Sequence, residues 1–384
     1  MKFNLKKTVV VSAPFIALMA GCGGGGSNSG NHVNGSNKYV QTNLVANKAI
    51  YHPQILEPGL QDAWGVSLRP AGAGGHWWVA ANKTGKSYEY VGDVNGKPLS
   101  VDPALPTVTV YDHDKAQGSP SGQVFNSTGT GFKITQTLPD GGTVTAPAKF
   151  IFANDDGTVN AWTQRNNADG TISYPVDANI VFDASQSGSG FFGVAISPTF
   201  DRLYLADFGS SPKVVVLNDQ FQDISAGKFP NPFPGYAPFN CQNVGNSIFV
   251  AYAKQEEPTE ELHGVGLGKL AEFDVNGALI ATWDDRNLLN APWGITKAPD
   301  SGFGLYSGKI LVANFGNGTV TVFDPATRKA IDYIRTADGK PMVIDGIWDL
   351  KFGNGVSLGE ANAMYFSAGP NSETDGIFGK IKAE

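Results

Sequence analysis

The chain has 384 residues, including 48 Gly and 23 Pro, with 41% hydrophobic and only 16% charged. Gly and Pro together reach about 18%, against roughly 12% in average usage. This turn-rich, weakly charged composition excludes a coiled coil, 11% aromatics exclude a disordered chain, and a net charge of −7 argues against nucleic acid as a partner.

Residues 1–21 read as a leader. Lys2, Lys6 and Lys7 precede an apolar run of about 13 residues, short of the about 20 that span a bilayer. The run ends Leu18-Met19-Ala20-Gly21-Cys22. It resembles the bacterial lipoprotein signal, with Met19 where that pattern most often has Leu. The resemblance implies cleavage before Cys22 and lipid attachment to it. Residues 22–38 are almost all Gly, Ser and Asn, the composition of a flexible tether. Gly23, rather than Asp, implies by the same resemblance an address at the cell outer membrane or periplasm. Loss of the three leader Lys leaves 25 basic against 35 acidic residues. Once Cys22 is acylated, Cys241 is the remaining thiol. With no His nearby in sequence, it reads as a buried structural residue.

From residue 39 a weak unit recurs. A short strand begins with an aromatic and a small residue, and a second strand ends Ala-Asn or Ala-Asp. The first unit has Ala63-Trp64-Gly65-Val66, then Val79-Ala80-Ala81-Asn82. The second is degenerate at its start and carries Phe152-Ala153-Asn154. The third pairs Phe192-Gly193-Val194 with Leu205-Ala206-Asp207, and the fourth pairs Pro238-Phe239-Asn240 with Val250-Ala251-Tyr252. The fifth, the cleanest, has Pro292-Trp293-Gly294-Ile295 and Val312-Ala313-Asn314; the sixth has Ile347-Trp348-Asp349 and Phe366-Ser367-Ala368. The starts fall near residues 64, 149, 192, 239, 293 and 348. Short strands with Gly/Pro turns at this period predict an all-β, six-bladed β-propeller over residues 39–384, one monomeric toroid. Residues 39–45 are expected to close the ring as the outer strand of the last blade. Two stretches interrupt the period. Residues 92–145 contain Val108-Thr109-Val110-Tyr111-Asp112, which reads as an outer strand. Residues 256–268 form an acidic loop with Glu256, Glu257, Glu260, Glu261 and His263; its residues 256–261 could bind cations or a basic partner, but a solvated face is the favoured reading.

The run at residues 312–324 resembles NHL-type repeats. Several stretches, among them Asp62-Ala63-Trp64-Gly65, Ala291-Pro292-Trp293-Gly294 and Ile344-Asp345-Gly346-Ile347-Trp348, resemble more closely an uncharacterised family of exported bacterial propeller proteins. That resemblance implies an exported six-bladed propeller and carries no established activity.

Inner-strand starts and second-strand ends lie at one end of a propeller, so their side chains can converge on the axis. Asp62, Asn154, Asp207, Asn240 and Asn314 would give an oxygen-rich ring suited to a hard cation such as Ca²⁺. Trp64, Asn82, Lys254, Trp293 and Trp348 would line a ligand mouth, although recurring Trp also suits packing between blades. Gly355-Val356-Ser357-Leu358-Gly359 has the letters of a nucleophile elbow but sits in a hairpin loop. Two readings stay open. One is a lipid-anchored binding module for a protein or glycan. The other is a metal-dependent hydrolase or lyase, resembling gluconolactonase-type propellers by fold analogy.

Overall fold

The computed structural model describes residues 36–384; the leader, Cys22 and most of the tether lie outside the described residues. Helical structure among the described residues is limited to four three-residue 3-10 turns. Six sheets of three to five strands succeed one another along the chain. Their inner strands are Ala63–Leu68, Pro120–Phe125, Phe191–Ile196, Ala237–Val244, Pro292–Lys297 and Ile347–Phe352. Each inner strand packs against the next, and the sixth packs against the first. The architecture is a six-bladed β-propeller. Its near face is where the inner strands begin and its far face is where they end.

The crowded axis explains the small residues. Gly65, Gly122, Gly193 and Gly294 sit where one inner strand touches its neighbour; Asn240 and Asp349 hold the position in the other two blades. A Cβ on Gly65 would lie 2.8 Å from the Gly122 Cα, and one on Gly294 would overlap the Trp348 carbonyl. Gly294→Ala is therefore expected to cost about 2–3 kcal/mol through overpacking. Gly129→Ala, whose Cβ would meet nothing within 4 Å, should leave the urea midpoint almost unchanged. Equal midpoints for the two variants would show that the axis can relax.

The second blade corrects the sequence-based register. Its inner strand is Pro120–Phe125, not a strand starting near residue 149, and Phe150–Asn154 is its second strand. A hairpin of Lys133–Thr137 and Thr143–Pro147 separates the two. This inner strand escapes notice because Ser121 stands where other blades place an aromatic ring. Trp64 and Phe192, from the flanking blades, meet at 5.4 Å and fill the space. The outer-strand expectation for residues 108–112 holds only at its start. Thr107–Thr109 pairs with Lys86–Tyr88, and the chain then turns toward the second blade.

Closure follows the sequence expectation. Tyr39–Ala46 runs antiparallel along Ile377–Ala383, from the Tyr39–Ala383 pair to the Ala46–Ile377 pair. Hydrophobic cores lie between adjacent blades. Trp78, Phe150, Phe152 and Trp162 fill the one between the first and second. Beside them Glu89, cross-strand from Trp78, is fully buried, and neither carboxylate oxygen has a partner among the described residues. Burial holds the Glu89 pKa well above the usual carboxylate range, and the nearby Asp102 charge adds to the shift. Cys241 packs with Tyr204, Val216 and Val250, and burial pushes its thiol pKa up. That surrounding suits a structural residue.

Candidate functional site at the near face

Five blades contribute an aromatic side chain near the start of the inner strand: Trp64, Phe192, Phe239, Trp293 and Trp348. With Phe208 and Phe315 they form one cluster on the axis. Trp348 is sandwiched, stacking on Trp64 at 3.9 Å and on Phe315 at 3.8 Å. Trp64, Trp293 and Trp348 are only 4%, 2% and 1% exposed. The tryptophans therefore act first as a plug. The Trp293 indole N–H donates to the Phe192 carbonyl at 2.9 Å, and that of Trp348 donates to Asp62 Oδ1 at 2.9 Å. The Trp64 N–H and Asp62 Oδ2 have no partner among the described residues.

Above the plug lies a cavity of about 530 Å³. Trp64, Phe192, Phe315 and Trp348 form its floor, and Asn82, Lys83, Asp155 and Glu373 form one wall. Of the five mouth residues expected from sequence, Trp64, Asn82 and Trp348 line this cavity. Trp293 instead reaches a second cavity on the far face. Lys254 is exposed beyond Ser247–Ala253 and lines neither cavity.

The acidic loop supplies the opposite wall, with Thr259, Glu260, Glu261 and His263. Gln255–Glu257 and Glu260–Glu261 pair as a small hairpin. It is bent over the axis by hydrogen bonds to the third blade. Gln255 Nε2 donates to the Phe208 carbonyl at 2.6 Å, and the Thr259 N–H donates to the same oxygen at 3.1 Å. Gly264 N–H donates to Asn290 Oδ1 at 2.8 Å and fixes the returning chain. Residues 259–261 and 263 thus line a wall, whereas the sequence favoured a solvated face over a binding role for this loop. The available signal was the loop's length between two strands of one blade.

Acid dominates this mouth. Burial, reinforced by the Glu373 charge, holds the Asp62 pKa well above the usual range. Burial pushes the Asp155 carboxyl to about 6, opposed by the Asn82 amide, which donates to Asp155 Oδ2 at 3.1 Å. Glu373 is raised by burial despite Lys83, whose Nζ is 3.6 Å away. His263 is raised by its hydrogen bond to Glu261, at 2.9 Å.

The five expected cation ligands occupy definite places. Asp207 Oδ1 accepts the N–H groups of Gly190 at 3.0 Å and Gly209 at 2.9 Å. Asn154 Nδ2 donates to the Tyr111 carbonyl at 2.9 Å and to Thr158 Oγ1 at 2.8 Å. Asn314 Nδ2 donates to Thr321 Oγ1 at 2.8 Å, and its Oδ1 accepts the Asn290 N–H at 3.0 Å. All three clasp the loop leading into the inner strand of their own blade. Asn240 Nδ2 donates to the Trp293 carbonyl at 2.9 Å and joins two inner strands. Asp62 Oδ2, Asn154 Oδ1 and Asn240 Oδ1 keep no partner among the described residues. No group of three or more His, Cys, Asp or Glu among the described residues is placed to hold a metal.

No family model matches the chain. An uncharacterised protein of Acanthamoeba polyphaga mimivirus is 28% identical over 353 residues, covering 89% of this chain and 79% of its own length. A second uncharacterised protein of the same virus is 26% identical over 349 residues, covering 88% of this chain and 84% of its own. Among solved structures, streptogramin B lyase aligns with a TM-score of 0.48 at 12% identity, covering 90% of this chain and 97% of that one. The chain is thus similar to uncharacterised viral proteins over most of its length, and its fold rests on its own sheet order.

Proposed function

We propose that this propeller is a binding module whose near mouth receives a sugar ring, or a comparably flat polar group, of a glycan or protein partner. The observation that carries the reading is the cavity's composition. Carboxylates accept hydrogen bonds from hydroxyl groups while aromatic faces cover the apolar side of a ring. Phe315, half-buried on Trp348 and edge-on to His263 at 5.4 Å, is the aromatic surface nearest solvent. In the same reading Cys22 carries a lipid that holds the module at the cell envelope. Cys22→Ser should then move the protein from membrane to soluble fractions.

Calorimetry against a panel of neutral and amino oligosaccharides tests the site. Phe315→Ala and Glu373→Gln should each weaken binding about tenfold or more, the scale of a hydrogen bond to a charged group. Binding should also weaken as pH falls through about 6, where Asp155 gains a proton and loses acceptor capacity. A panel without ligands, or affinities indifferent to both substitutions, would count against this mouth.

A second reading, a Ca²⁺-dependent hydrolase or lyase, draws on the oxygens of Asp62, Asn154 and Asn240 that have no partner among the described residues. Metal analysis of the purified protein, with lactone and ester turnover before and after chelation, separates it from the first. No bound metal and no chelator-sensitive turnover would remove it.

A further inference from the structure

The far end of the axis holds a second cavity of about 410 Å³, on the other side of the tryptophan plug. Its walls are mainly apolar, with Leu68, Val124, Phe125, Ile196, Phe200 and Phe352 from the ends of the inner strands and their turns. Two cations border it, and they differ in state. Lys351 is ion-paired, with Nζ 2.7 Å from Asp349 Oδ1 and 3.0 Å from Gln242 Oε1.

Arg69 has no carboxylate partner among the described residues. Its Nη2 donates to Gln164 Oε1 at 2.7 Å, and its Nε is buried without an acceptor. The guanidinium is held over the rings of Phe125 at 5.5 Å and Phe150 at 5.8 Å. The one acid in the adjoining cavity, Asp102, is engaged by His76 at 2.8 Å. Lys149, close enough for the Arg69 charge to lower its pKa together with burial, adds positive potential. Holding a half-buried cation without a counterion is costly. It is unexpected here because the chain has 35 acidic residues against 28 basic ones. A guanidinium fixed by stacking offers planar donors that match a carboxylate.

We propose that the far cavity binds a small amphiphilic carboxylate, with its head group on Arg69 and its apolar body along Leu68, Val124, Ile196 and Phe352. The inference is independent of the near mouth, since different side chains and the opposite face carry it.

Titration calorimetry of the full-length protein with decanoate, decanol and decyltrimethylammonium provides the test. Decanoate should bind at least tenfold more tightly than either comparison compound. Arg69→Gln should abolish that preference, Arg69→Lys should keep part of it, and Phe315→Ala should leave it intact. Equal affinity for decanoate and decanol, no decanoate binding, or a preference unchanged in Arg69→Gln would each overturn the proposal. The head-group comparison uses the native protein, so it decides the matter even where Arg69→Gln folds poorly.

Discussion

Replacing Trp348 by Ala is expected to cost about 3–5 kcal/mol of folding stability, the range for truncating a large buried aromatic residue. The side chain is 1% exposed and carries rings on both faces. Its removal takes away a stacking partner from Trp64 and Phe315 at once. It also takes the indole donor from Asp62 Oδ1, whose other oxygen already lacks a partner among the described residues. Trp348→Phe keeps one ring for stacking but loses the indole donor and some packed volume, so about 1–3 kcal/mol is expected. Urea unfolding of the two variants checks both figures. A loss below about 1 kcal/mol for Trp348→Ala would mean that the cluster collapses around the lost ring and that the plug contributes little to stability. Near-mouth ligands should lose affinity in Trp348→Ala as well, because the cavity floor disappears.

Glu89→Gln should have the opposite sign at neutral pH. Burial raises the folded-state pKa of Glu89 well above its ordinary value, whereas the unfolded chain releases that proton near pH 4.5. The unfolded state therefore binds fewer protons once pH passes the ordinary value. Stability then falls by about 1.4 kcal/mol per pH unit until the folded-state pKa is reached. Gln cannot ionise and avoids that loss. The variant should resemble the native protein at pH 4 and become progressively more stable than it toward pH 8. Parallel melting temperatures for the two proteins across that range would refute the buried-acid account. Asp62, Asp155 and Glu373 also have raised pKa values, so only the difference between the proteins isolates Glu89.

The propeller was legible because its periodic demands are local. A closely packed axis calls for a small residue beside an aromatic one, and Trp64-Gly65, Phe192-Gly193 and Trp293-Gly294 display that pair directly. The second blade was misplaced because aromatic rings are shared among blades while backbone contact is not. Ser121 could replace an aromatic side chain, whereas Gly122 was retained, with a Cβ there only 3.0 Å from the Val194 nitrogen. The Asn and Asp residues ending the second strands were visible as a repeat. Their clasping bonds were not, because the partners depend on how each loop enters its own blade. The acidic hairpin was the least legible element, since its position rests on Phe208, in a different blade.

The ring's last blade joins the first and the last of the described strands, and this orders events during synthesis. When Tyr39–Ala46 leaves the ribosome, its partner Ile377–Ala383 has yet to be made. At about 5–20 residues per second, on the order of tens of seconds pass before the partner exists. For that interval an apolar strand waits with an open edge. Completion must wait until Ile377–Ala383 has emerged, through the most sequence-distant strand pairing among the described residues, which makes it a slow step. Loss of the last few residues would therefore leave the early blades formed and the torus unsealed, a product whose sticky edge can recruit other chains.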